Sequence, residues 1–459
     1  MIQNKSPYKD YGDSDLTDDY LFLEDEFEKG KEPSFIPNEL YDKYNVKKGL
    51  RNNNGTGVLV LLTKISEVHG YNIDNDGNKI DDQGHLYYRG YDIYDLAKLN
   101  KEAFGFERVM FLILFCHLPS EEELEKFHAF ISDSYSLPYE FAENFILKTP
   151  SRSTMNTIQR AILSLYSYDD NPDSIDTFET LKKGLSIIAK MPAIISYSYQ
   201  AKKHYIDGKS LFIHKPKKEY TMAQNILYMT RSDGKFTTLE AETLDLALII
   251  HADHGGGNNS TFANIVISST GTDIYSSMSG SLGSLKGPRH GGANKEVRNM
   301  MKQVIHSIGL KASEEDIRRV INNILDKKFY DRKGLIYGIG HAVYTLSDPR
   351  AILLKEKCHE LAIMKGYEAK FNFYATFERI AIEELTKRKG PGFVCCTNVD
   401  FYSGLTYEIL NISSDLYTPL FACSRMIGWL AHNIENKQYC DKIVRPAGKY
   451  VGEIIKEEE

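Results

Sequence analysis

Four stretches of the chain place a histidine or an aspartate in a turn rich in glycine or other small residues, each beside a helical pattern. They are HADHGGGNNSTF from His251, GSLKGPRHGGANKEV around His290, GLIYGIGHAVYTLSDPRA around His341 and TNVDFYSGLTYEIL around Asp400. Glycine there lets the backbone approach a ligand closely, at an entropic cost that calls for a reason. A histidine at a helix start also meets the positive end of the macrodipole, which favours neutral imidazole. Such residues suit acid–base chemistry on a small anionic substrate, but each stretch also has a plainer reading. His251 and His254 have the spacing of a metal pair, yet zinc needs a third protein ligand and no cysteine or carboxylate cluster stands nearby. The triplet Gly255–Gly257 fits neither GxxxxGK[ST] nor GxGxxG, so a nucleotide phosphate loop is disfavoured. The glycines after His290 can simply separate two helices. Asp348-Pro349 can start a helix, and Asp400 can cap one beginning near Gly404.

The elements that must hold these stretches are mostly helical. Val297, Met300, Met301, Val304 and Ile305 form one apolar stripe at helical spacing, and Ile317, Val320, Ile321, Ile324 and Leu325 form a second. The second opens at Ser313-Glu-Glu-Asp316, close to a capping box. Phe373, Phe377, Ile380 and Ala381 share a third face. Strands are few and short: GHLYYRGYDI (84–93) reads as one, and GVLVLLTKI (57–65) as a strand or a buried helical turn. A short helix is expected around LFLEDEFEKG (21–30), within a polar, acidic N-terminal arm over residues 1–55.

With 459 residues the chain has room for two or three domains, or for one large domain and a smaller one. The formal charge, 56 − 63 = −7, disfavours a general nucleic-acid surface but leaves room for a small anion held by local arginines. The six cysteines form no CxxC pair and suggest no disulfide framework. The N-terminal MIQNKSPYKDYGDSD lacks the pattern of a signal peptide, and no apolar run reaches the roughly 20 residues of a membrane helix. A soluble, cytoplasmic protein is expected.

Taken together, the four stretches resemble the citrate synthase family. The resemblance runs in one order from GHLYYRGYDIYDLA and FERVMFLILFCHLPSEEEL to FACSRMIGWLAH and IVRPAGKYVG, roughly residues 84 to 446. Its most specific part is Gly338–Arg350. The resemblance implies condensation of acetyl-CoA with oxaloacetate to citrate and CoA, with the CoA thioester a co-substrate and no other cofactor or metal. Asp400 would be the general base, His290 the donor to the thioester oxygen, and His341 the donor to the ketone. His254, Arg350, Arg425 and Arg445 would hold oxaloacetate, the last across a homodimer interface. Tyr337, Gly338, Ile339 and Gly340 would contact the adenine of CoA. Asn258 and Ser260 would shape the His254 wall, with His251 behind it.

The implied architecture is a large helical domain, residues 56–290 plus 401–459, with a smaller helical domain, 291–400, closing over a cleft. Thr345 stands where many members carry a cation beside the CoA phosphates, so that charge is lost or supplied elsewhere. Arg289 replaces a more usual apolar residue. The nearest alternative is 2-methylcitrate synthase, which uses propionyl-CoA; one methylene is worth only about 1–3 kcal/mol. A non-catalytic scaffold descended from the family is the other, against which stands the presence of His290, His341 and Asp400 together.

Overall fold

The computed structural model of the chain describes residues 18–454 except positions 103 and 441. They fall into two compact units, Met1–Val60 with Pro446–Glu459, and Leu61–Arg445. In the first, the helix expected at 21–30 spans Asp18–Lys31 and is followed by a short helix, Glu39–Lys43. The remainder of the expected arm, residues 1–17, lies outside the described residues.

The second unit is mostly α, as expected. The helix Ala293–Ile308 buries Val297, Met300, Met301 and Val304, the stripe read from spacing. Glu314–Leu325 buries Ile317, Val320, Ile321 and Ile324, and its capping box is real: the Ser313 hydroxyl accepts from Asp316 N, and the Asp316 carboxylate accepts from Ser313 N. Glu368–Lys389 buries Phe373, Phe377, Ile380 and Ala381. Each Val, Ile, Met or Phe among them contributes about 1.5–3 kcal/mol when taken from water, enough to set these helices against one another. The spine is Tyr417–Tyr439, which is buried on every side over most of its length and packs on Thr177–Tyr205. Among the described residues, no helix is long and apolar enough to cross a membrane.

The strand content exceeds the expectation. An antiparallel sheet joins β1 (Ser66–Ile73), β2 (Lys79–Tyr88) and β3 (Tyr91–Asp92). Only its inner end, with Leu86 and Tyr88 fully buried, carries apolar alternation. Its outer end, around DNDGNK, is polar and exposed, so hydrophobic patterning could not announce it. The run at 57–65 is neither strand nor buried turn: Leu59 and Leu62 stand 86% and 90% exposed, and only Ile65 enters the core.

Candidate active site

The four glycine-bearing turns converge. Tyr417–Tyr439 supplies one wall through residues four apart, which share a helix face. Phe421 lies 4.9 Å ring to ring from His251 and 6.4 Å from His290. Arg425 spreads over the Phe421 ring at 4.7 Å and donates from Nε to the His251 carbonyl at 2.8 Å. Trp429 donates from Nε1 to Ser260 Oγ at 3.2 Å. One turn on, His432 pairs with the buried Asp253 at 3.1 Å. Asp253 also accepts from the Ser66 hydroxyl and, at 3.0 Å, from the N–H of Gly255, whose positive φ of 77° turns the chain sharply after His254.

His254 and His341 meet edge to face at 5.3 Å, and the Tyr344 ring closes the group, 4.8 Å from His341. Nδ1 of His341 accepts two backbone N–H groups, from Val343 and Tyr344, at 3.1 Å each. That assigns the ring proton to Nε2, which is left as a donor. On the far wall, His290 Nε2 lies 3.1 Å from the Ser260 hydroxyl. Trp429 already donates to that oxygen, so the hydroxyl proton can turn to Asn258 Oδ1 at 2.9 Å or to His290. Turned to His290, it places the imidazole proton on Nδ1.

Electrostatics separates the roles. Burial, with the charge of Arg425, pulls His290 down to about 4. Burial, with the charge of Arg350, takes His341 to about 4 as well and His254 well below its usual value. All three imidazoles are therefore neutral at physiological pH. Asp400 moves the other way: burial raises its carboxyl to about 6, against the pull of Arg350 and Arg425. It remains ionised at neutral pH, but is a far better base than an exposed aspartate.

Asp400 does not cap its helix. The helix is Val399–Ile409, and Asn398 caps it, accepting from Asp400 N at 3.0 Å. The carboxylate is thus free of that duty. Asp348 does start a helix, with Pro349 in its first turn. It also grips Arg350 twice, at 3.0 and 2.8 Å, and accepts from Val399 N at 3.2 Å. That one carboxylate ties the Arg350 fork to the helix bearing Asp400.

Arg425 is fully buried, and neither of its terminal nitrogens finds a partner among the described residues; the same holds for Nε2 of His254. Planar donors presented this way match a substrate carboxylate. His251 is a core residue, its Nδ1 donating to Ala247 O at 2.6 Å. Among the described residues, no three His, Cys, Asp or Glu side chains are grouped to hold a metal ion.

Arg445 is exposed and joins none of these groups among the described residues. Arg289 is exposed too. Thr345 is buried and turned away into the sheet, its hydroxyl on Gly70 O. In Tyr337–Gly340, Gly340 N donates to Cys396 O, while Gly338 O and Gly340 O accept from Asn398. Ile339 N donates to Ile336 O at 3.3 Å, and the Tyr337 hydroxyl donates to Asp331. Phe421, Asp253, Tyr344 and Asp348 also form these walls, and in the sequence only Asp348 carries a signal, an acid two residues before the arginine it holds.

A family model described as Citrate synthase, C-terminal domain, matches residues 52–447. The citrate synthase of Haloferax volcanii is 35% identical over 424 residues, covering 89% of this chain and 96% of its own. A 2-methylcitrate synthase of Shewanella oneidensis is 30% identical over 367 residues, covering 80% of this chain and 88% of its own. In three dimensions the chain is similar to citrate synthase from Thermoplasma acidophilum in its ternary complex with carboxymethyl coenzyme A and oxaloacetate. The TM-score is 0.72 at 26% identity, over 90% of this chain and 98% of that one.

Proposed function

Since the chain belongs to the citrate synthase family, condensing acetyl-CoA with oxaloacetate to citrate and free CoA, we propose that Asp400, His290 and His341 carry the chemistry. The observation that supports this most is a carboxylate free of capping and raised by burial to about 6, in the field of Arg350 and Arg425, the guanidinium groups that also act on the neutral His341 and His290. The Asp400 carboxylate takes a methyl proton from acetyl-CoA. That proton is very weakly acidic, so the enol oxygen must gain a hydrogen bond as it forms, and Nδ1–H of His290 gives it. The enol carbon then attacks the ketone carbon of oxaloacetate, whose oxygen is polarised by Nε2–H of His341. The two N–H groups on Nδ1 make that Nε2 proton easier to hand to the new alkoxide. Water then cleaves the citryl thioester, releasing citrate and CoA.

Arg350, Arg425 and His254 hold the oxaloacetate carboxylates, and Tyr337–Gly340 contacts the adenine of CoA. Residues 291–400 act as the smaller domain, closing the cleft and excluding water. The CoA thioester is a co-substrate, and the protein works in the cytoplasm. Thiol release from acetyl-CoA should depend strictly on oxaloacetate; release without it, or none with it, overturns the reading. Initial rates with propionyl-CoA should be lower, and a propionyl preference would make the chain a 2-methylcitrate synthase.

The exposure of Arg445 supports its use by a second copy of the chain in a homodimer. The enzyme should sediment as at least a dimer. Mixing inactive Arg445→Ala with inactive Asp400→Asn should restore part of the activity in hybrid dimers, each having one intact site. No recovery after subunit exchange would place Arg445 in its own chain's site.

A further inference from the structure

The sheet of β1 and β2 lies directly against residues 343–347, the segment that follows His341. Two glycines set the spacing. A Cβ on Gly70 would stand 2.7 Å from both Tyr344 Cα and Val343 O; one on Gly84 would run into Ser347 O and meet Tyr344 Cδ1 at 2.7 Å. The β1–β2 register shifts between His69 and Tyr71, so the intervening Gly70 leaves the ladder. The Gly70 carbonyl accepts the hydroxyl of Thr345 at 2.6 Å, and the Thr345 oxygen in turn accepts from Asp82 N at 3.3 Å. Two residues on, Ser347 Oγ accepts from Gly84 N at 3.0 Å and donates to Gln83 Oε1 at 2.9 Å. From behind, His69 and Asn72 hold the Asp82 carboxylate at 2.9 and 2.7 Å.

The pinned segment is the one that fixes His341. Val343 and Tyr344 supply the two N–H groups on its Nδ1, and the Tyr344 ring lies against the imidazole. The Arg350 guanidinium sits 5.4 Å above that same ring.

We infer that Thr345 is a positioning residue for the condensation. It pins residues 343–347 to the bulged hairpin, and so keeps Nε2–H of His341 aimed at the ketone of oxaloacetate. The inference rests on the role given above to His341. Thr345 touches no substrate; its buried hydroxyl acts through the backbone that orients the imidazole. A buried donor left without its partner shifts its surroundings, and small misplacements of a catalytic group cost rate.

Thr345→Val keeps the shape and removes both hydrogen bonds. It should lower kcat/KM for oxaloacetate about tenfold while leaving KM for acetyl-CoA within about twofold, and Thr345→Ser should restore most of the loss. Ser347→Ala, which removes the second pin, should give a smaller fall of the same kind and keeps the test open if Thr345→Val does not fold. A folded Thr345→Val with unchanged kcat/KM, a KM for acetyl-CoA that rises as far as kcat/KM for oxaloacetate falls, or no rescue by serine would overturn the inference. If Thr345→Val fails to fold, an unchanged Ser347→Ala would do so. His341→Ala measured alongside separates the two levels: activity surviving that change defeats the role of His341 itself, whereas its loss beside an unaffected Thr345→Val defeats only the pinning.

Discussion

Asp400→Asn should lower kcat by about 10²–10⁴-fold while leaving the dissociation constant of oxaloacetate nearly unchanged. The substitution keeps the shape of the side chain and leaves the Asn398 cap intact, because that cap uses the backbone N–H of residue 400. What disappears is the proposed base and its charge. In the wild type, a carboxyl raised to about 6 must be ionised to act, so kcat/KM should climb with pH through about 6 and level off above it. His290 and His341, both near 4, are already neutral across that range and add no further limb there. The residual activity of the variant should therefore lose the rise near pH 6. A second consequence has the opposite sign. A folded-state carboxyl raised above its ordinary value opposes folding once it is ionised, so removing the charge should raise the melting temperature at pH 7 to 8. Initial rates against pH, oxaloacetate titrations and thermal melts read all three. An oxaloacetate affinity that falls as far as turnover, or an acid limb that survives, would remove Asp400 from the base role.

The competition between capping and catalysis at Asp400 shows where the sequence was legible. An aspartate two residues after an asparagine, at the head of an apolar segment, can be read either as cap or as free carboxylate. Backbone geometry decides it: Asn398 has extended dihedrals and fills the cap, so the aspartate falls inside the first turn. Helical stripes such as Val297–Val304 were plain, because burial on one face imposes a period of 3.6 residues. The fold class followed from them. The motif histidines were findable because each stands in a turn whose glycines serve no propensity. What remained hidden depends on groups distant in sequence. Asp253 meets Ser66 across 187 positions and His432 across 179, and no local spacing encodes either partnership. The outer hairpin was hidden for another reason: its strands are held by backbone pairing and by polar contacts to 343–347, with few apolar side chains to mark a period. Phe421, Arg425 and Trp429 had the helical spacing of a core stripe, and the arginine among them was legible only through the resemblance to a family.

Arg425→Leu should weaken oxaloacetate binding by about 30- to several-thousand-fold, the range expected when a buried charged pair loses one member, about 2–5 kcal/mol, yet the free enzyme should melt no lower than wild type. The two effects part company because of what Arg425 faces. Burial holds its guanidinium down at about 10, despite the attraction of Asp253, so the net surroundings disfavour the charge. A basic group with a lowered folded-state value opposes folding at every pH below it, and leucine relieves that cost. In the proposed role oxaloacetate supplies the missing anion, so its stabilising effect on the melt should be large in the wild type and nearly absent in the variant. Arg350 makes the informative contrast. Its guanidinium is raised above its usual value by Asp348, which grips it at 3.0 and 2.8 Å, so Arg350→Leu strands a buried carboxylate and should lower the melting temperature as well as the affinity. The field of Arg425 also reaches its neighbours. Its charge lowers both Asp400 and His290, so its removal should move the acid limb of the residual activity above about 6. Melts of the two variants with and without oxaloacetate distinguish the forks. A free Arg425→Leu enzyme that melts well below wild type would mean the guanidinium is a structural cation with its anion already inside the protein, and oxaloacetate would then need another seat.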